Sequence, residues 1–191
     1  MGDHSARWQV VFKRSISGRV SLILDHNERQ LLANLFNQSL ELLEIDDVVE
    51  HEDPFVQLMN MDGPTEISSD NALARLFPDA YQDDAEASRD FRRYTEPDLR
   101  RAKLENVRLV LDVLDDDEPK VQLSPTQVQA WLLALNDLRL ILGTRIGVGE
   151  EDSDLDSPDD LDDDGTAQDA DPGLYLYDYL TYLQEMLIQA L

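Results

Sequence analysis

The sequence predicts a mainly α protein of the α+β kind: one helical domain of five to six helices with an N-terminal β-hairpin. Three observations carry this. Apolar residues recur at helical spacing through most of the chain, alternation of period two is confined to its beginning, and one long acidic block interrupts the pattern late. At 191 residues the length fits one domain, and 42% apolar residues suffice for a core.

The opening run "RWQVVFKRSISGRVSLILD" alternates Trp8, Val10 and Phe12 with Gln9, Val11 and Lys13, then Val20, Leu22 and Leu24 with Ser21 and Ile23. With Ser17-Gly18 as the turn, residues 7–14 and 19–24 read as a hairpin, which needs helices beneath it to persist. Asp25 and Glu28 have the spacing of a capping box and open a helix to about Glu44. Its stripe is Leu31, Leu32, Leu35, Phe36, Ser39, Leu42 and Leu43. Residues 45–67 read as an acidic loop with a turn at Met61-Asp62-Gly63-Pro64. "NALARLF" is a short helix stopped by Pro78, and a further helical stretch covers 83–93. Thr95 is expected to cap a new helix with Pro97 in its first turn and Leu104, Val107, Leu111 and Leu114 buried. Ser124-Pro125-Thr126-Gln127 starts the next helix, over 125–144. The division expected is thus a helical domain with its hairpin over 1–149, a disordered acidic insertion over 150–173, and a C-terminal helix over 174–191 packing back on the domain.

The formal charge is −25, from 41 acids against 16 bases. Such a surface repels phosphate backbones and anionic lipid, so membranes are excluded as partners and direct DNA binding by the chain alone should be weak or absent. No cysteine is present, which removes disulfides, thiolate metal sites and thiol-based sensing by this chain. Without a signal-peptide core or an apolar run near 18 residues, a soluble cytoplasmic protein is expected. No metal and no cofactor is implied. His4, His26 and His51 share no ligand spacing, and the calcium-like trio Asp152, Asp154 and Asp156 has Ser157 at the obligatory glycine and Asp163 where Glu belongs. No nucleophile elbow or phosphate-cradling loop occurs, so no catalytic residue is assigned and the chain reads as a non-enzyme.

Two groups of residues remain as candidate sites. In "WLLALNDLRLILGTR" the apolar residues Trp131, Ala134, Leu135, Leu138, Ile141 and Leu142 share one arc of the helix. Asn136, Arg139 and Gly143 share another, and Asp137 lies on a third flank. The polar cluster Asn136, Asp137 and Arg139 either docks a neighbouring helix or lines a small-ligand pocket in which Arg139 holds an anion. Between 89 and 108 the local charge reverses, with Arg89, Arg92, Arg93, Arg100, Arg101, Lys103 and Arg108 against four acids. That segment is either an internally salt-bridged face, with Arg101, Glu105, Arg108 and Asp112 in an alternating row, or a surface for a partner or phosphate.

Several blocks, "FKRSISGRVSLIL", "RLFPDAY", "FRRYTEPDLRRAKLENVRLVLD", "ALNDLRLILGTR" and "LYDYLTYLQEMLIQAL", resemble those of an actinobacterial domain of unknown function, the AosR-like (actinomycete oxidative stress regulator) family. The resemblance spans nearly the whole chain apart from the acidic block. It implies a cytosolic protein, often encoded beside the ClpS adaptor, that regulates transcription under oxidative stress, and it implies no catalytic residue or cofactor. The function expected is therefore a non-enzymatic regulator or adaptor acting through protein partners at the transcription machinery. The alternative is a ligand-binding protein or enzyme built around Asn136, Asp137 and Arg139.

Overall fold

In the structure, a computed structural model, residues 11–16, 18–44, 66–116, 118–148 and 171–191 are described. The expectations for residues 7–10, for most of the 45–67 loop including His51, for His4, and for the acidic run over 150–170 lie outside them. The elements run β1 (Val11–Arg14), β2 (Val20–Ile23), α1 (His26–Glu44), α2 (Asn71–Leu76), α3 (Ala85–Leu114), β3 (Lys120–Leu123), α4 (Pro125–Arg145) and α5 (Pro172–Gln189). The protein is mainly helical, with five helices and three short strands among the described residues. No described helix is long and apolar enough to cross a membrane.

β1 and β2 pair antiparallel with Phe12 opposite Leu22. Gly18 closes the turn with φ +79, a conformation a side chain would resist. The hairpin is not alone, which corrects the two-stranded expectation. β3 pairs with the other edge of β2, with Leu22 opposite Val121 and Val20 opposite Leu123. "KVQL" is too short to stand out as a strand in the sequence; it becomes one because β2 offers an open edge. Phe12, Val20, Leu22 and Leu123 are buried on the sheet's inner side. The rings of Phe12 and Phe36 each meet Trp131 edge-on, with centroids 5.7 Å away, which fastens sheet and α1 to α4.

The helix starts are chemically explicit. Asp25 accepts from the Glu28 amide at 2.8 Å while Glu28 accepts from the Asp25 amide at 3.1 Å. Asp70 caps α2, and Ser124 and Gln127 form the reciprocal box of α4. α5 begins at Pro172 behind the cap Asp171, two residues before the expected start at 174, because proline suits the first helical turn.

α3 differs most from expectation. The stretches 83–93 and 95–114 are one helix of 30 residues, about 45 Å long. Its cap is Asp84, accepting from the Ala87 amide at 2.9 Å. Thr95 caps nothing; it lies within the helix and its hydroxyl donates to the Phe91 carbonyl at 2.7 Å. Pro97 is carried through the interior although it offers no amide to the preceding turn. Tertiary contacts on both sides of Pro97, described below, hold the helix continuous.

α4 is the hub of the assembly. It packs against α1, α2, α3, α5 and β3, and buries Trp131, Ala134, Leu135 and Leu138. Since Pro97 sits mid-helix rather than at a helix start, Pro97→Ala should raise stability by about 1–3 kcal/mol, read by chemical denaturation. A neutral result would place a helix boundary at Thr95 after all.

Candidate functional site

The three polar residues of α4 point three different ways. Asn136 is exposed. Asp137 is 5% exposed and accepts from Lys103 Nζ of α3 at 2.7 Å. Arg139 turns to α5, where it donates to Thr181 Oγ1 at 3.0 Å, to Gln184 Oε1, and to the Tyr177 hydroxyl at 3.3 Å. Its guanidinium also lies 5.2 Å from the Tyr177 ring centroid. Gly143, on the same arc, lets that ring approach: a Cβ there would sit 3.2 Å from Tyr177 Cε2. The Asn136-Arg139-Gly143 arc thus seats α5 through two of its three members. Deeper in α5, burial pushes the Tyr179 phenol well above its ordinary pKa, and nearby Glu28 and Asp25 push it further.

The basic residues of α3 do not form one surface. Arg92 and Arg100 are buried on either side of Glu96, itself 5% exposed. Arg92 donates to Glu96 Oε2 at 2.8 Å and Arg100 to Glu96 Oε1 at 2.7 Å. Arg92 also reaches the Phe77 carbonyl at 2.9 Å and Asp79 at 2.8 Å, while Arg100 reaches the Leu43 carbonyl at 3.0 Å and stacks 4.6 Å from the Phe77 ring centroid. Burial opposes the charge of Arg92, but the hydrogen bonds of Asp79 and Glu96 outweigh it and raise its pKa further. Of the others, Lys103 is tied to Asp137, Arg93 is half-buried, and Arg89, Arg101 and Arg108 are exposed. Arg101 pairs with Asp98 at 2.8 Å and Arg108 crosses to Glu44 of α1 at 2.9 Å. The expected row through Glu105 and Asp112 is therefore not how these arginines pair.

A groove escaped the sequence reading. Between α1 and α4 lies an open cavity of about 420 Å³ lined mainly by Leu35, Leu42, Leu138, Ile141 and Leu142, with Gln38, Glu41 and Arg145 on its borders. In the sequence these residues belong to core stripes; only the packing shows that all of them but Leu138 are left incompletely covered. None of Asn136, Asp137 or Arg139 lines it. Arg145 is bound to Asp70, the α2 cap, at 2.6 Å. Burial raises the Asp70 pKa, but the Arg145 hydrogen bond and the Leu73 and Ala72 amides outweigh that and hold it below the usual 3.8. Among the described residues, no group of three or more His, Asp or Glu side chains could hold a metal ion.

Glu96→Ala should destabilise the fold by about 3–5 kcal/mol in chemical denaturation, because it strands two buried guanidiniums without their carboxylate. For Asp70 the sign follows from a lowered folded pKa. Its ionised form contributes stability at neutral pH, and that contribution fades as pH falls below 3.8 and through the lower folded value. The stability gap between wild type and Asp70→Asn should accordingly be largest near neutrality and shrink in acid, as urea melts across pH would register.

The comparisons with known proteins extend over this whole arrangement. The family described as Domain of unknown function (DUF2017) matches residues 8–191. The "Oxidative stress regulator AosR" of Mycobacterium tuberculosis (strain ATCC 25618 / H37Rv) is 28% identical over 211 residues, covering 100% of this chain and 89% of the relative. Its namesake in Mycobacterium bovis gives the same figures. A "Putative oxidative stress regulator AosR" of Mycobacterium leprae (strain TN) is 28% identical over 142 residues, covering 68% of this chain and 62% of the relative. No solved structure gives a significant match. With one family matched from the first strand through the last helix, the chain belongs to DUF2017 and is a member of the actinobacterial AosR-like family.

Proposed function

We propose that this chain is a non-enzymatic cytoplasmic regulator of the oxidative-stress response that works through protein contacts, at the transcription machinery. The observation that carries the reading is the likeness, over all of this chain, to mycobacterial proteins named as oxidative stress regulators. The geometry supports it in two ways. The side chains a ligand pocket would have used are engaged between helices, Asp137 with α3 and Arg139 with α5, and neither lines the groove between α1 and α4. The cations that a phosphate-binding face would have used are divided, Arg92 and Arg100 inside and the exposed Arg101 and Arg108 each beside an acid.

In this reading the chain reaches DNA only through a partner, since its charge of −25 opposes the counterion release that drives non-specific binding. A tagged chain used to capture partners from actinobacterial lysate, with and without peroxide, should recover a component of the transcription machinery in a peroxide-dependent amount. The purified chain should not retain DNA at physiological salt. Tight sequence-specific DNA binding by the chain alone would overturn the reading. So would strong thermal stabilisation by one metabolite, since a ligand at a hundred times its Kd adds about 2.7 kcal/mol.

A further inference from the structure

We infer that the groove between α1 and α4 is a docking site for a basic amphipathic helix of a partner protein. Its lining runs from Leu35 to Leu42 on α1 and from Leu138 to Arg145 on α4, two turns of helix or about 10 Å on each wall. Two helical walls with an apolar floor between them have the form that a third helix completes, with anchors at i, i+3 or i+4, and i+7. The volume of about 420 Å³ accommodates a few aliphatic side chains.

The rim decides the sign of the occupant. Arg145 is already neutralised by Asp70 at 2.6 Å, so it offers little to an incoming acid. Glu41, on the opposite border, is exposed and paired with no described residue, and it leaves the rim negative. A lysine or arginine flanking the apolar anchors meets that carboxylate, and the net charge of −25 draws such a segment in from solution. This inference deepens the protein-contact reading above by naming the surface and the chemistry of what it takes.

The test is fluorescence anisotropy with a labelled model peptide of about four helical turns, carrying leucines at i, i+3, i+4 and i+7 between lysines. It should bind the full chain, and a scrambled peptide of equal composition should not. Leu42→Asp should abolish binding, with circular dichroism confirming that the helices persist. Glu41→Lys, an exposed change that leaves the floor intact, should weaken binding about fivefold, the scale of one exposed ion pair. A glutamate-flanked version of the peptide should then bind Glu41→Lys better than wild type. Equal binding of the scrambled peptide overturns the inference, as does indifference to both substitutions. A concentration-dependent dimer lost in Leu42→Asp would make a second copy the occupant and also overturn it. Partners still captured from lysate by Leu42→Asp would overturn the groove while leaving the protein-contact reading intact.

Discussion

The buried ladder Arg92–Glu96–Arg100 is the interaction on which the arrangement of the helices depends. One carboxylate receives two guanidiniums from the turns before and after it, with both oxygens engaged. The ladder straddles Pro97, the point where α3 would otherwise break. The same arginines also donate to backbone carbonyls, Arg92 through the nitrogen it shares with Glu96 to Phe77 at the end of α2, and Arg100 through its other nitrogen to Leu43 near the end of α1. Two cations against Glu96 would leave a buried positive charge, and Asp79 at the margin offsets it. Removing ions from water is costly, so such a cluster needs the compensation it has here: both Glu96 oxygens are engaged and each guanidinium also reaches a backbone carbonyl. Its value to the fold is positional: it sets where three helices meet.

A common device runs through the molecule. Helix ends leave carbonyls without intrahelical donors, commonly satisfied by a glycine turn. Here arginines from other elements do that work. Arg92 serves α2, Arg100 serves α1, and Arg29 serves the end of α3, donating to the Val113 and Leu114 carbonyls and to that of Glu118 beyond. A planar guanidinium addresses several carbonyls through a fixed fork of five donors, whereas an ammonium has three donors on a compact, strongly hydrated charge. Three of the thirteen arginines are placed in this way.

Arg29, Arg92 and Arg100 are buried, but so are Glu28, Glu96 and Asp137, so among the described residues burial takes bases and acids from the exterior in equal number and leaves the surface as acidic as the composition conveys. α5, which carries no base, is docked by Arg139 and by the Gly143–Tyr177 approach, so its attachment to α4 combines polar register with aromatic packing. The polar residues inside the apolar run of α4 thus specify which helix lies on which flank.

The sequence by itself determined the helical class, the hairpin with its Gly18 turn, the capping boxes at Asp25 and Ser124, the core stripe through Trp131, and the family. These are legible because capping, periodicity and turn chemistry act over three to seven neighbouring residues. The tertiary structure alone decided that β3 exists, that α3 runs unbroken through Pro97, that Arg92 and Arg100 face inward while Arg101 and Arg108 face outward, and that a groove is left between α1 and α4. Local rules place a boundary at Thr95-Glu96-Pro97, and they were overridden because Glu96 is clamped from both sides by groups whose other partners lie 15 and 57 residues away. A strand of four residues, the direction of an arginine and the gap between two helices are properties of pairs of distant segments, and no window of one segment contains them.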